Sequence, residues 1–258
     1  MKNEDLKQTY SAGELKFRPG FNESQMLVDL LPNWQDRRVL EIGCGTGDLA
    51  AMMMMAGARS VLGIDYAEGQ IEKAKEKYSI DGLQFDCIGY KTLDERFKFD
   101  TVVMQGVIEH LDDPWAELVQ ILKKHLVKGG HACISVPNWT NPRGLVYHAC
   151  RVLYGAKMSL TDLHWILPND FNKFVANHTR YEIITFASTD YGLATGKDMM
   201  DDFTDRLPKA LGAEQNGMQP HIDKFMEFLE DFMMNWQVVY ANTPQLAGAS
   251  LGALIKKK

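Results

Sequence analysis

A glycine-rich turn between an apolar strand and a helix constrains this chain more than any other feature. Gly43, Gly45 and Gly47 occupy alternate positions directly after the apolar segment 38–42. Glycine is needed where the backbone turns sharply and approaches a ligand without a Cβ atom in the way. In the dinucleotide-binding fingerprint, a third glycine lies three places after the second and adjoins a pyrophosphate. Asp48 holds that place here, so the spacing argues against a pyrophosphate ligand.

Acidic residues stand at both ends of this turn. Glu41 lies two positions before Gly43, and Asp48 directly follows Gly47. Two carboxylates attract a positive charge and repel a phosphate, because like charges held close together are unfavourable. The turn is therefore expected to bind a cationic ligand that carries no phosphate group.

Further polar residues follow the next two predicted strands. Asp65 directly follows the segment 60–64, and a carboxylate at the tip of a neighbouring parallel strand can hold a ribose diol through two hydrogen bonds. Asp is also a preferred N-cap for the following helix, and both roles remain open. Tyr66 could lie against a purine face. Asp86 could accept a hydrogen bond from an adenine amino group, or it could be an exposed loop acid.

Short apolar runs alternate with segments of helical period through the first half of the chain, which is typical of a parallel sheet covered by helices. A first helix is predicted from Asn22 to Pro32, and another begins near Pro114, a favoured first-turn residue. Gly129 and Gly130 are expected to end that later helical stretch. The predicted strands are 38–42, 60–64, 83–87, 100–104, 131–136, 181–187 and 246–256.

The second half of the chain has a different pattern. Residues 139–180 are rich in aromatic side chains and predict short helical pieces, with breaks at Pro142, Gly144, Gly155 and Pro168. Residues 199–240 read as helical, and 220–240 is strongly amphipathic. That amphipathic segment is expected to pack on the sheet or cover a substrate, with a homodimer or membrane-surface contact as the alternative.

Composition limits the partners and the compartment. The 258 residues carry 28 basic and 34 acidic side chains, a net charge of −6, which argues against a protein that binds nucleic-acid phosphates. No apolar segment approaches the roughly 18–20 residues of a membrane span, and the charged start is unlike a secretory signal. The four cysteines form no Cys-x-x-Cys pair, as is usual in a reducing compartment. A cytoplasmic location is expected.

These motifs together resemble the class I S-adenosylmethionine-dependent methyltransferases. The Glu-x-Gly-x-Gly-x-Gly run 41–47 resembles the first motif of that family, and 63–65 resembles the second. The segments 99–114 and 126–138 resemble the motifs of the fourth and fifth strands. The resemblance covers about residues 36–138 in unbroken order. It implies an α/β fold with a doubly wound, mostly parallel seven-stranded sheet, an antiparallel last strand, and helical insertions after strand 5 and before strand 7.

The resemblance implies S-adenosylmethionine as the cofactor and a set of residues that bind it. Tyr10 and Arg18, ahead of the first helix, could close over the cofactor and pair with its carboxylate. The predicted cofactor-binding residues are Glu41, Gly43, Cys44, Gly45, Gly47, Asp65, Tyr66, Asp86, Cys87, Gln105, Gly106, Arg18 and Tyr10.

Two histidines are candidate catalytic bases. A base is needed when the acceptor is a hydroxyl or phenol, and less so when it is an amine. His110 follows the fourth strand, and His164 lies in the aromatic insertion. Without a catalytic role, His110 would be a helix-start residue that hydrogen-bonds the backbone, and His164 would be a surface-loop histidine. No metal constellation is predicted, although an acidic cluster of Glu109, Asp112 and Asp113 keeps a divalent-dependent, catechol-type enzyme as a minor alternative.

The acceptor is expected to be a small molecule. The Val136–Asn138 ending and the segment 160–171 look most similar to small-molecule O- and N-methyltransferases, including quinone-precursor and sugar enzymes. Gln105–Ile108 replaces the Asp/Asn-Pro-Pro-aromatic run of enzymes that methylate nucleobase amines. The alternatives are a protein or peptide methyltransferase, and a cofactor-binding protein without transferase activity. A cavity lined by Trp139, Tyr147, His164 and Trp165 would favour the small-molecule reading.

A single domain over 1–258 is expected. Its cofactor-binding half is 36–138, and the helical segments 139–180 and 199–240 are expected to hold or cover the acceptor.

Overall fold

A computed structural model describes residues 21–154, 162–190 and 248–258. The helices are α1 (Phe21–Leu30), α2 (Asp48–Met55), α3 (Glu68–Lys77), α4 (Pro114–His125), α5 (Pro142–Tyr154) and α6 (Pro168–Asn177). The strands are β1 (Arg38–Ile42), β2 (Ser60–Asp65), β3 (Leu83–Cys87), β4 (Phe99–Gln105), β5 (Leu126–Pro137), β6 (Tyr181–Thr189) and β7 (Ser250–Lys257). Short 3₁₀ turns lie at Tyr90–Thr92 and Ile108–His110.

The strands form a seven-stranded sheet in the order β3-β2-β1-β4-β5-β7-β6. The pairs from β3 through β5 are parallel, whereas β7 runs antiparallel to both β5 and β6. The strand order reverses direction between β1 and β4, and ligands of open α/β sheets bind outside the carboxyl ends of the strands at such a point. The predicted fold class is confirmed.

Alternate residues of the central strands supply the two apolar layers, because successive side chains of a strand point to opposite faces. On one face Leu40 and Ile42 of β1 pack with the apolar side chains of α4 and α6. On the other, Val39 packs with those of α1, α2 and α3. Both layers consist mainly of buried side chains, and the carboxyl ends of the central strands lie between them.

The structure corrects three local predictions. Gly129 and Gly130 do not end a helix; α4 ends at His125, and the two glycines lie in an irregular start of β5. Pro142 and Pro168 begin helices and do not break them, because a proline has no backbone N–H to lose in the first turn. Gly144 lies inside α5, with its backbone so close to Trp139 that a Cβ would lie 2.2 Å from the Trp139 carbonyl oxygen.

Several predictions fall on other parts of the chain. Tyr10, Arg18, Gly155 and the helical segment 199–240 lie outside the described residues. No helix among the described residues is long and apolar enough to cross a membrane.

Candidate functional site

The glycine turn lies at the carboxyl ends of β1 and β2. The backbone N–H groups of Gly43 and Cys44 donate to the carbonyl oxygen of Ile64, at 2.8 and 3.1 Å. A Cβ at Gly47 would lie 2.4 Å from Cζ of Phe85, whereas a Cβ at Gly45 would meet no atom within 4 Å. Gly47 is thus required for packing. Gly45, with φ of +49°, leaves an open face at which a ligand can approach the backbone.

Glu41 lies beneath this turn as a buried carboxyl group. Its side chain is 2% exposed, and no described residue donates a hydrogen bond to Oε2. Burial, followed by the charges of Asp65 and Asp48, raises the pKa of Glu41 well above its usual value. A buried carboxyl oxygen without a partner is costly, and a positively charged ligand group would satisfy it.

Asp48, at the other end of the turn, is held by neighbouring side chains, and a ligand contact of its carboxylate stays a prediction. Its oxygens accept hydrogen bonds from Thr46 Oγ1 at 2.6 Å and from the Tyr78 hydroxyl at 2.6 Å, and pair with Lys77 Nζ at 2.5 Å. Burial alone would raise the pKa of Asp48, but the hydrogen bonds from Lys77, Thr46 and Tyr78 together lower it. Asp48 therefore anchors α2 to the end of α3.

Asp65 joins the glycine turn to the start of α3. Its Oδ2 accepts from Gly45 N at 3.0 Å, and its Oδ1 accepts from Ala67 N at 2.9 Å. Burial raises the pKa of this carboxyl group despite the backbone hydrogen bonds. Each carboxylate oxygen has two lone pairs, so both can still accept a hydrogen bond from a ligand hydroxyl. Asp65 is not the N-cap of α3, which is Ala67 without a side-chain cap hydrogen bond, and ribose binding stays a prediction.

The other predicted cofactor-binding residues of this region differ in their exposure. Tyr66 is 38% exposed, and burial together with the charge of Asp65 raises the pKa of its phenol to about 12. Cys87 is exposed, and its Sγ lies 3.8 Å from the carbonyl oxygen of Tyr66. Asp86 is also exposed. Cys44 is buried under the turn, and burial strongly raises the pKa of its thiol. Any ligand contact of Cys44 is therefore expected through its backbone.

The tip of β4 is held by α1, through residues that the sequence did not single out. Ser24 Oγ donates to Gln105 Oε1 at 2.9 Å. The Glu23 carboxylate accepts from Ser135 Oγ at 2.8 Å and also hydrogen-bonds Ser250 and Gln105. The amide of Gln105 is therefore committed to α1. No motif marks Glu23 or Ser24, because their partners come from β4, β5 and β7.

Gly106, the next residue, has φ of +61°. Its backbone N–H donates to the carbonyl oxygen of Ser135 at 3.1 Å.

His110 lies between two carboxyl groups directly beyond the β4 tip. Its Nδ1 is 3.8 Å from Asp162 Oδ1, and its Nε2 is 4.0 Å from Glu109 Oε1. Glu109 is 2% exposed, and its Oε2 has no hydrogen-bond donor among the described residues. Burial, with the added charges of Asp162 and Glu23, raises the pKa of Glu109 well above its usual value.

His164 belongs to the same part of the site. The backbone N–H groups of Leu163 and His164 both donate to the Glu109 carbonyl oxygen, at 3.0 and 3.1 Å. The Nε2 atom of His164 lies 3.1 Å from the carbonyl oxygen of Asp112. The structure thus brings the two candidate histidines together around Glu109, although they come from distant parts of the sequence.

The aromatic insertion is packed more tightly than expected. Trp139 is 5% exposed and Tyr147 is fully buried, and Trp139 stacks on Trp165 with ring centroids 4.3 Å apart. The Arg143 guanidinium lies 5.0 Å from the ring centroid of Tyr147. Trp139 and Tyr147 therefore form a core under the loop that carries His164, and they do not line an open cavity among the described residues.

Comparison with known proteins shows the family of the chain. Residues 16–182, well over half of the chain, match the family model described as a methyltransferase domain. The chain belongs to this methyltransferase family. A ubiquinone biosynthesis O-methyltransferase from Neisseria meningitidis serogroup C is 29% identical over 171 residues, which cover 64% of this methyltransferase and 69% of the relative.

Solved structures agree on the fold of this methyltransferase. An S-adenosylmethionine-dependent methyltransferase from Mesorhizobium loti aligns over 92% of this chain and 99% of its own, with a TM-score of 0.56 and 15% identity. A magnesium protoporphyrin IX methyltransferase from Synechocystis with bound S-adenosylhomocysteine covers 73% of this chain and 94% of its own, at a TM-score of 0.57 and 16% identity. The predicted family, the enzyme class and the S-adenosylmethionine cofactor are confirmed.

The residues present fit this cofactor. S-adenosylmethionine carries a sulfonium and an ammonium group, and Glu41, two residues before the turn, has a buried carboxyl oxygen with no hydrogen-bond donor among the described residues. In this methyltransferase a buried acid is thus available to a ligand of positive charge.

We expect Glu41→Gln to stabilise the ligand-free methyltransferase and to weaken cofactor binding. Because burial raises the folded-state pKa of Glu41, the unfolded chain releases this proton at a lower pH than the folded chain. The wild type should therefore lose stability relative to the variant as the pH rises above the unfolded-state pKa. Urea unfolding across the acidic to neutral range measures this difference, and calorimetry should show roughly tenfold weaker S-adenosylmethionine binding.

The exposed pair of Glu95 with Lys124 supplies the control for that experiment. Glu95→Gln should change neither the pH dependence of unfolding nor the cofactor affinity appreciably. Parallel stability curves for wild type and Glu41→Gln would contradict the assignment of a neutral, buried Glu41.

Proposed function

We propose that this methyltransferase transfers the methyl group of S-adenosylmethionine to a hydroxyl oxygen of a small molecule. One observation carries the proposal. The glycine turn follows β1, the group of Glu109, His110 and Asp162 lies beyond the end of β4, and these two strands are adjacent and parallel. A donor on the turn and an acceptor at the β4 tip would therefore lie side by side. The O-methyltransferase name of the relative points to the same acceptor atom, and ubiquinone precursors are the first acceptors to test.

The donor is proposed to lie across the tips of β1, β2 and β3. Glu41 would satisfy the positive end of the cofactor, and Gly45 would offer the backbone face against which it lies. Asp65 would accept hydrogen bonds from the ribose hydroxyls. The other proposed contacts are Gly43, Cys44, Gly47, Tyr66, Asp86, Cys87, Gln105 and Gly106, with Tyr10 and Arg18 from the segment before α1.

S-adenosylmethionine supplies a methyl group that is already activated by its positive sulfur. The protein therefore has to position the acceptor, a contribution that can be large, and to remove its proton. His110 is the proposed base, because it lies directly beyond the β4 tip and its Nδ1 is 3.8 Å from Asp162 Oδ1. His164 is the second candidate. Because its Nε2 lies 3.1 Å from the Asp112 carbonyl oxygen, that nitrogen is expected to carry hydrogen and Nδ1 to be the acceptor.

The chain is proposed to form one methyltransferase domain over 1–258, with 36–138 as its cofactor-binding half. Within the segment 139–180, the backbone N–H groups of Leu163 and His164 donate to the Glu109 carbonyl oxygen. The segment is proposed to shape the acceptor side. The segment 199–240 is proposed to complete it, and a homodimer through 220–240 stays a prediction.

The proposed function is tested with methyl-labelled S-adenosylmethionine and a panel of small hydroxylated aromatic compounds, including ubiquinone precursors. We expect label to enter an oxygen of the product, and His110→Gln to lower kcat by roughly a hundredfold or more. His131→Gln is the matched control, because His131 pairs with Thr101 near the amino end of β4, away from the carboxyl end that precedes His110. Label found only on nitrogen, or only on a protein or peptide acceptor, would refute the proposal.

A further inference from the structure

Glu23 of α1 places a carboxyl group among residues of three strands. Ser135 Oγ of β5 donates to Glu23 Oε1 at 2.8 Å, and the carboxyl group also hydrogen-bonds Ser250 of β7 and Gln105 of β4. Burial raises the pKa of Glu23, although these three hydrogen bonds act in the opposite direction. The residue keeps some exposed surface, whereas its carboxyl group is the buried part. A single side chain of α1 is therefore tied to β4, β5 and β7.

The side-chain amide of Gln105 is held at both of its polar atoms. Ser24 Oγ donates to Gln105 Oε1 at 2.9 Å. An ionised carboxyl group only accepts hydrogen bonds, so the hydrogen bond between Gln105 and Glu23 is donated by Nε2 of the amide. Two consecutive residues of α1 thus fix the direction of this amide. Because the side chain is engaged in this way, a contact of Gln105 with the cofactor is expected through its backbone.

The same contacts fix the end of β4. Gln105 is the last residue of β4 and pairs with Ser135 of β5. Gly106 follows with φ of +61°, and its backbone N–H donates to the Ser135 carbonyl oxygen at 3.1 Å. Glu23 therefore bonds both side chains of the last β4–β5 pair, directly before the chain turns away from the sheet.

Glu23 also acts on the turn that follows β4. Burial and the charge of Asp162 raise the pKa of Glu109, and the charge of Glu23 adds to them. Glu109 directly precedes His110 in that 3₁₀ turn. Because the interaction between charges weakens with distance, Glu23 lies close to the turn. A rearrangement at Glu23 would therefore affect both the end of β4 and the residues beyond it.

We propose that Glu23 is a positioning residue of the methyl-transfer site, which acts through the Gln105 amide to hold the backbone of Gln105 and Gly106 against S-adenosylmethionine. Stability alone gives no reason for a carboxyl group here, because well-packed apolar residues often replace buried charged groups without loss of stability. A hydrogen-bonded network instead specifies one orientation of the groups that it joins. The inference rests on the proposed donor site, in which Gln105 and Gly106 are contacts, and it does not depend on the acceptor.

An exchange of the two side chains tests this role, with calorimetry of S-adenosylhomocysteine binding to the full-length protein at mildly alkaline pH. Gln105→Glu sets a second carboxylate against Glu23 and should weaken binding by roughly tenfold or more, because like charges that share a site repel. Adding Glu23→Gln to that variant restores an amide–carboxylate pair in reverse order, and should return the affinity to within about threefold of wild type. Asp29→Asn is the matched control, because Asp29 is an exposed acid of α1 that accepts a hydrogen bond from Gln25, and should leave the affinity unchanged.

Urea unfolding of the same variants separates positioning from stabilisation. Loss and rescue that occur only in the free energy of unfolding, with unchanged affinity of the folded variants, would overturn the positioning role. Equal weakening by Asp29→Asn, or no recovery of affinity in the double variant, would also overturn it. If Gln105→Glu does not fold, Ser24→Ala decides the test, because it releases the other end of the amide and should weaken binding by roughly fivefold.

Gly45→Val distinguishes a failure of this inference from a failure of the donor site. If Gly45→Val loses S-adenosylhomocysteine while Gln105→Glu keeps wild-type affinity, the proposed donor site stands and the positioning role of Glu23 is lost. Wild-type affinity in Gly45→Val would refute the donor site, and the positioning role with it.

Discussion

Gly45→Val should remove S-adenosylmethionine binding while leaving the fold intact. A Cβ at Gly45 meets no protein atom within 4 Å, so the valine side chain would project into the open space over the turn. That space is where the proposed donor approaches the backbone. Calorimetry should show an affinity reduced by at least roughly a hundredfold, equal to about 2.8 kcal/mol.

Backbone strain is the competing explanation, and Gly129→Val measures it. Gly45 and Gly129 both have positive φ, +49° and +77°, and a Cβ at Gly129 likewise meets nothing within 4 Å. Both valines should therefore cost stability of the order that left-handed residues do, about 1–2 kcal/mol. Gly129 lies near the amino end of β5, whereas the turn follows the carboxyl end of β1. Equal loss of cofactor affinity in the two variants would rule out a ligand at Gly45.

Features that depend on local patterns were predictable from the sequence. The bounds of β1 and β3 agree with the structure, because short apolar runs are bounded by turn residues. The turn from Gly43 to Gly47 and the strand-end position of Asp65 follow from spacing alone. The backbone partners of Asp65 were not predictable, and the coordinates show its two oxygens on two different backbone groups.

Features that depend on contacts between distant segments were not predictable. Asp113 does not join Glu109 in an acidic cluster. Its Oδ1 accepts a hydrogen bond from Ala116 N and caps the start of α4. The carboxylate that completes the cluster is Asp162, from the loop before α6. No spacing rule connects the two segments, since the pairing depends on how that loop docks against the 3₁₀ turn.

The orientation of Asp48 was missed for a similar reason. Its position beside the turn suggested a ligand contact, but Lys77 and Tyr78 arrive from the end of α3 and bind it. Counting the acidic residues near the glycine turn overestimated its negative charge, because Lys77 from α3 pairs with Asp48. Glu41 keeps its place in the predicted site because its Oε2 finds no such partner among the described residues.

Asp65→Ala should weaken S-adenosylhomocysteine binding by roughly a hundredfold or more. It removes the acceptor of two hydrogen bonds donated by the ribose hydroxyls, and a hydrogen bond to a charged group contributes about 1.5–3 kcal/mol. The variant also frees Gly45 N and Ala67 N, so weaker binding could come from a loosened turn. Asp81→Ala is the matched control, an exposed acid in the turn before β3.

A double-mutant cycle separates direct contact from loosening of the turn. An analogue of S-adenosylhomocysteine that lacks both ribose hydroxyls should bind wild type and Asp65→Ala with nearly equal, weak affinity if Asp65 contacts the ribose. If Asp65 only shapes the turn, the substitution should weaken both ligands by the same factor, because the analogue still needs the backbone at Gly45. The coupling between hydroxyls and carboxylate, and not the loss of affinity by itself, therefore decides whether the acid at the β2 tip binds the ribose.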